Sequence, residues 1–215
     1  MPWIEQLQDA NWFQATGCTL GAYLLGSVAT GYYLVRARTG RDIREMNSGS
    51  TGARNVGRVL GKAGFALTVL GDVGKGALAV WGAQEWTRNP HLAALAMLAV
   101  VAGHIWPAQL HFRGGKGVAT TLGALLVFDH RLLLVFGALF LAGFILARKS
   151  VLPGLFAFAC LPLAGFWLDR DGLTTALAAV LVAMILIAHR RNFVDEITML
   201  WERRGVAPKP ESTEL

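Results

Sequence analysis

Long apolar runs joined by short polar segments constrain this chain more than any other feature of its sequence. They lie near residues 15–36, 64–86, 91–110, 117–128, 132–147, 151–168 and 172–188. A helix that is apolar on every side has to be buried, in a large core or in a membrane. About 20 such residues cross a bilayer core of about 30 Å. The pattern therefore predicts an all-α polytopic membrane protein with seven transmembrane helices. Composition agrees, since hydrophobic residues make up 54% of the 215 and charged residues 16%, with 25 glycines besides. Soluble domains carry about 25% charged residues, so an ordinary cytosolic enzyme and a disordered chain are both excluded. Cys18 and Cys160 both sit in apolar stretches, which gives no disulfide framework and no metal site. Neither a metal nor a cofactor is expected.

The fourth run would rise only about 18 Å at about 1.5 Å per residue. The segment before it, Arg113-Gly114-Gly115-Lys116-Gly117, is therefore expected partly at membrane depth, held by protein rather than lipid. Seven spans would put residues 36–62, 111–117, 148–150 and 189–215 on one side, and these hold 16 of the 20 Lys and Arg residues. The other side has Arg88, Arg131 and Arg170. Positive residues gather on the cytoplasmic side, so the N-terminus is expected outside (periplasmic) and the C-terminus in the cytoplasm. The formal net charge of +6 is mostly this bias and implies no nucleic-acid partner. Residues 1–204 are expected to form a single integral membrane domain. Within it, residues 1–14 suit an interfacial segment, with Trp3, Ile4, Leu7, Trp12 and Phe13 at headgroup level. Glu5 and Asp9 with no basic residue do not suit a signal peptide. Residues 205–215 are expected to be a disordered cytoplasmic tail. No internal repeat suggests inverted halves.

Four polar constellations could carry chemistry. The first is the loop from Asn47 to Arg58, where Ser48, Ser50, Gly52 and Asn55 offer close backbone approach and hydrogen-bonding groups. Arg54 and Arg58 can fork onto phosphate oxygens; the plainer reading is a flexible basic loop. The second joins Gly103-His104-Ile105-Trp106-Pro107 to the glycine-rich turn Gly114, Gly115, Lys116 and Gly117, which leads into a helix. This resembles an anion nest at a helix N-terminus but lacks Walker A spacing. His104 could be a base or a phosphate donor, or simply a packed histidine. His91, His111 and His130 are expected at the interfaces. The third is His189 with Asn192, one helical turn apart on one face. The fourth is Asp72 and Lys75, intramembrane charges at i and i+3 expected to pair with each other or with a residue such as Arg58.

In this order and with these spans, the segments resemble the bacterial acyl-phosphate:glycerol-3-phosphate acyltransferases from about Gly26 to Asn192. The family's first motif, Ser-Gly-Asn-x-Gly-Ala-Thr-Asn followed by arginine, is similar to Ser48–Asn55 with Arg58. Its Asp-x-x-Lys-Gly is similar to Asp72, Lys75 and Gly76. Its Gly-His-x-x-Pro with Gly-Gly-Lys-Gly-Val-Ala-Thr matches from Gly103 to Thr120, and its His-x-x-Asn is His189 and Asn192. The chain departs from the pattern at Ser50, where the family has asparagine, and at Arg54, where it has threonine. Lys149-Ser150-Val151-Leu152 stands where a Tyr-x-Ser-Leu-like stretch is usual, and Val194-Asp195-Glu196 replaces the usual tail of the third motif.

The resemblance implies transfer of a fatty acyl group from acyl-phosphate to the 1-hydroxyl of sn-glycerol 3-phosphate, giving lysophosphatidate and phosphate. It implies no coenzyme A or acyl carrier protein as direct donor, and a bacterial inner-membrane location with the site on the cytoplasmic side. Ser48, Arg58, Lys116, His189 and Asn192 would be the catalytic and substrate-binding set. Ser50, Gly52, Arg54, Asn55, His104, Gly114, Gly115 and Gly117 would bind phosphate, and Asp72 with Lys75 would be a structural pair near the site. The sequence shows no Ser-His-Asp or Cys-His arrangement that would signal a covalent intermediate. The competing readings are a related enzyme with another phosphorylated acceptor and a transporter or binding protein for a phosphorylated metabolite.

Overall fold

A computed structural model describes residues 11–168, 171–190 and 198 of the protein, and the described residues carry helices and no strand. The first expected span is two helices, α1 (Trp12–Ser27) and α2 (Thr30–Thr39). The Asn11 side chain caps α1 by accepting the Phe13 N–H, which places Trp12 and Phe13, both exposed, in its first turn. Residues 1–10 lie outside the described residues, as does the 205–215 tail. The interruption at Val28 and Ala29 releases carbonyls that need partners at membrane depth. The Val28 carbonyl accepts from Lys75 Nζ at 2.8 Å, and the Ser27 carbonyl accepts from Gln109 Nε2.

The second expected span, 64–86, is the latter part of α3 (Ala53–Thr87), which is interrupted at Gly61 with φ 70° and ψ −164°. That conformation is open to glycine and strained for any other residue. Residues 53–60, expected as loop, are helical, so Arg54, Asn55 and Arg58 stand on a helix rather than on a flexible segment. Next comes α4 (Pro90–Ile105), which has proline in its first turn and a cap from Asn89 to the His91 and Leu92 N–H groups. It stops short of Pro107, and a 3₁₀ turn at Ala108–Leu110 follows. Then come α5 (Val118–Phe128) and α6 (His130–Ala147), joined through Asp129, which accepts the Arg131 N–H. The sixth expected run is divided into α7 (Val151–Ala159) and α8 (Leu161–Trp167), with Pro162 just past the break. Finally α9 (Gly172–Ala188) is capped by Asp171. Among the described residues, four apolar segments are long enough to cross a membrane: Trp12–Thr39, Ala53–Thr87, Pro90–Leu110 and His130–Ala147. Val118–Phe128, Val151–Trp167 and Gly172–Ala188 are apolar but shorter.

Most of α4 is buried, and it packs against α1, α3, α5 and α9. Hydrocarbon gives apolar side chains no reason to leave it, so helices in lipid associate through close packing of small residues. Glycines provide that approach here. A Cβ on Gly26 would lie 2.1 Å from the Val100 carbonyl oxygen, and one on Gly103 2.2 Å from that of Tyr23, locking α1 to α4. Gly76 meets the Thr120 carbonyl and Gly123 that of Val73 in the same way, locking α3 to α5. The outward faces carry Leu70, Leu134, Leu146 and Trp167, all exposed, as a lipid-facing surface requires. His91, at the start of α4, is buried among side chains, with Nδ1 3.8 Å from an Asp171 carboxylate oxygen.

Overpacked sites cost about 1–3 kcal/mol where side chains can yield, and backbone carbonyls yield less. Gly103→Leu and Gly123→Leu should therefore lower the thermal midpoint of the purified protein by several degrees or abolish folded protein. Gly137→Ala on α6, where no atom lies within 4 Å of the added carbon, should leave the midpoint unchanged or raise it.

Candidate active site

The loop before α3 is fixed from below by one side chain. Asn55 is buried, and its Nδ2 donates to the carbonyls of Ile43, Met46 and Ser50 at 3.3, 3.0 and 2.9 Å. Asn47 and Gly49 take left-handed conformations to allow this turn. The Gly52 N–H donates to Ser50 Oγ at 3.2 Å, and the Thr51 N–H reaches the Gly114 carbonyl at 3.4 Å. That last bond joins the first constellation to the second.

Beyond the turn at Pro107 the chain doubles back on the end of α4. The Gly114 N–H donates to the Ile105 carbonyl at 3.1 Å and the Gly115 N–H to the His104 carbonyl at 3.0 Å. A Cβ on Gly114 would lie 2.2 Å from the His104 carbonyl oxygen, and one on Gly115 only 2.0 Å from His104 Nε2. These two glycines therefore pack onto His104 and support the turn, whereas Lys116 and Gly117 line the cavity beside it. Gly117, at φ 84°, starts α5, whose first N–H groups have no partner within the helix. Such an end attracts anions.

His104 is held from the other side by the intramembrane charges. Asp72 Oδ1 lies 3.0 Å from Lys75 Nζ and 3.5 Å from His104 Nδ1, and all three side chains are buried. The expected pairing of Asp72 with Lys75 is present; the second neighbour is His104 rather than Arg58. Spacing along one helix showed the first, but a partner on α4 gives no signal in sequence.

Around these supports lies a cavity of about 490 Å³. Its polar end is formed by Ser48, Ser50, Gly52, Arg54, Asn55, Arg58, His104, Lys116, Gly117 and His189. Its apolar walls come from Phe65 and Val69 of α3, Leu122 of α5, Phe136 and Phe140 of α6, and Leu155 and Phe158 of α7. Asp72 is the one carboxylate among the described lining residues, and Lys75 neutralises it. Three cations, two histidines and a helix N-terminus thus face a space with no other acidic group among the described residues, which suits anionic oxygens. The walls suit an alkyl chain. Asn192 lies outside the described residues. One contact leaves no signal in the sequence: Arg54 Nη2 donates to Ser150 Oγ, 96 residues away.

His189, one residue past the end of α9, is buried, with Nδ1 2.9 Å from the Ile185 carbonyl. With Nδ1 donating, Nε2 is an acceptor. Burial holds its pKa below the ordinary 6.5, the Ile185 bond opposes this, and the charges of Lys116 and Arg54 lower it further. It is therefore neutral at pH 7. In the NMR titration of histidine-labelled protein, its midpoint should lie below 6.5, assigned by loss of the signal in His189→Gln. Removing a nearby cation removes repulsion, so Lys116→Ala and Arg54→Ala should each move that midpoint upward.

The sequence matches the family described as Glycerol-3-phosphate acyltransferase over residues 16–198. It is 45% identical over 185 residues to Glycerol-3-phosphate acyltransferase 1 of Desulfitobacterium hafniense (strain Y51), covering 86% of this chain and 92% of that one. It is 41% identical over 177 residues to Glycerol-3-phosphate acyltransferase of Clostridioides difficile (strain 630), covering 80% and 86%. The fold is similar to a crystal structure of PlsY, an integral membrane glycerol 3-phosphate acyltransferase, in its glycerol 3-phosphate form. The TM-score is 0.77 at 29% identity, over 92% of this chain and 96% of that one. A second PlsY structure, in its lysophosphatidic acid form, gives a TM-score of 0.76 at 30% identity, over 86% and 92%. With the match running through every constellation around the cavity, this chain belongs to the glycerol-3-phosphate acyltransferase family.

Proposed function

We propose that this protein transfers a fatty acyl group from acyl-phosphate to the 1-hydroxyl of sn-glycerol 3-phosphate, releasing lysophosphatidate and phosphate. The observation that carries this reading is that cations and apolar walls line one and the same cavity. Both substrates bear phosphate, and one also bears an alkyl chain. An acyl phosphate is a mixed anhydride, already activated, so what the protein must supply is position and charge. In this reading the glycerol hydroxyl attacks the acyl carbonyl carbon, the carbonyl C–O bond to the phosphate breaks, and phosphate leaves with the electron pair. Arg58 and Lys116, with the N-terminus of α5, stabilise the charge that develops on the leaving phosphate. Ser48 and Asn192 orient the acceptor. The hydroxyl proton passes to neutral His189, to His104 or to the leaving phosphate. Neither coenzyme A nor acyl carrier protein takes part directly.

The same reading includes the membrane arrangement. Residues 1–204 form one integral domain of the bacterial inner membrane with seven spans, the N-terminus outside and residues 205–215 as a cytoplasmic tail. Support comes from apolar helices at each expected position and from the basic residues gathered on one side. The site then opens to the cytoplasm, where soluble glycerol 3-phosphate is met while the donor's chain stays in the bilayer.

Purified protein given palmitoyl-phosphate and glycerol 3-phosphate should make lysophosphatidate detectable by mass spectrometry. Lys116→Ala should reduce turnover by about 10²-fold or more, in line with loss of one transition-state charge contact, while keeping the wild-type thermal midpoint. Near-normal turnover in that variant would remove Lys116 from the mechanism. Product only with some other phosphorylated acceptor would favour the related-enzyme reading. Movement of labelled glycerol phosphate across vesicles without lysolipid would favour a transporter.

A further inference from the structure

Arg54 and the Ser150-Val151 stretch are where this chain departs from the resembled pattern, and the two departures touch. The Arg54 guanidinium donates through Nη2 to Ser150 Oγ. Arg54 stands in the first turn of α3, Ser150 directly precedes α7, and both line the cavity. Ser150 caps no N–H of its own helix. Its hydroxyl serves the arginine instead.

The position of this contact matters. From Ser150 the chain runs into α7, whose Val151, Leu155 and Phe158 form apolar wall. Arg54 shares the cavity with His189, whose protonation its charge disfavours. The guanidinium thus stands where the apolar wall ends and the cationic end begins. An amphiphile lying along α7 would place its headgroup at that junction.

We propose that Arg54 binds the phosphate of the acyl-phosphate donor and that Ser150 is its positioning residue; this rests on the acyl-phosphate reading above. A guanidinium has five N–H donors in a rigid fork. One is used on Ser150, which leaves enough for a two-point contact with phosphate oxygens. Arg54 is exposed, and an exposed arginine loses much rotamer freedom when it binds. The neutral hydroxyl holds the fork at the junction beforehand and reduces that loss. A threonine at position 54, as in the resembled pattern, has no charge to bring there.

The test is steady-state kinetics on purified protein, varying palmitoyl-phosphate and glycerol 3-phosphate separately, with thermal midpoints recorded for every variant. Arg54→Thr should raise KM for palmitoyl-phosphate about tenfold or more, as loss of a charged hydrogen bond predicts, and leave KM for glycerol 3-phosphate within about twofold. Ser150→Ala should raise the same KM about two- to fivefold, Ser150→Thr should restore it, and Ser150→Ala should add nothing to Arg54→Thr. The proposal is overturned if KM for palmitoyl-phosphate does not change in Arg54→Thr, or if the change falls on glycerol 3-phosphate. It is equally overturned if Ser150→Ala has its full effect in the Arg54→Thr background, since Ser150 would then act on the helix and not through the arginine. A wild-type protein that makes no lysophosphatidate from palmitoyl-phosphate defeats the functional reading itself, a separate result.

Discussion

Two opposite charges inside an apolar helix hold much of this structure in place. Asp72 and Lys75 sit one turn apart on α3, buried, at 3.0 Å. Charges at such depth are costly, and their attraction offsets the cost only when the remaining donors and acceptors are also used. Lys75 uses a second proton on the Val28 carbonyl, at the point where the first span breaks into α1 and α2. Asp72 reaches His104 on α4. The pair therefore ties three elements together. Breaking such a pair costs about 3–5 kcal/mol because it leaves one charge uncompensated, which makes the arrangement specific even where it adds little net stability.

From this cluster the constraint passes outward to the chemistry. His104, held by Asp72, is the surface on which Gly114 and Gly115 lie, and no side chain larger than hydrogen fits between. The glycine turn is thereby fixed in depth and direction, and Lys116 and the start of α5 follow from it. Gly117 completes the turn with a left-handed conformation. On the opposite edge, Asn55 gathers three carbonyls of the Ser48–Ser50 loop, and the Thr51 bond to Gly114 closes the gap. His104 and Asn55, which line the cavity themselves, thus also set the positions of Lys116 and of the Ser48–Ser50 loop.

Apolar runs showed where the helices lie, because burial in lipid leaves a continuous signal. They did not show the interruptions at Val28, Gly61 and Cys160, since breaking a helix depends on partners elsewhere. Lys75 and Gln109 make the first break tolerable, and neither stands near it in sequence. The residues around the cavity were legible as short polar clusters in apolar surroundings, where each polar group needs a reason to be present. Their division into lining and supporting roles was not legible. Gly115 and Lys116 are adjacent in sequence, yet one packs beneath the site and the other faces it. The Arg54–Ser150 contact was also hidden: each residue was visible as a departure, but nothing in the sequence joined them across 96 positions.

The two sides of the cavity differ in a way that suits its proposed chemistry. The side formed by α3, α4 and α5 is locked by glycine contacts and the buried charges, so the turn that presents Lys116 has a fixed position. Electrostatic stabilisation depends on that, because a charge that must reorganise during reaction gives back much of what it contributes. The wall from α6 and α7 lacks such a lock. Phe136 meets Phe158 at a tilt of 43°, with ring centroids 4.4 Å apart, and Gly143 approaches the side chain of Pro153 rather than a carbonyl. Side-chain contacts of this kind adjust to different alkyl lengths more readily than backbone contacts do. A fixed polar end and a more adaptable apolar wall let the reacting groups keep one geometry while the chain beside them varies.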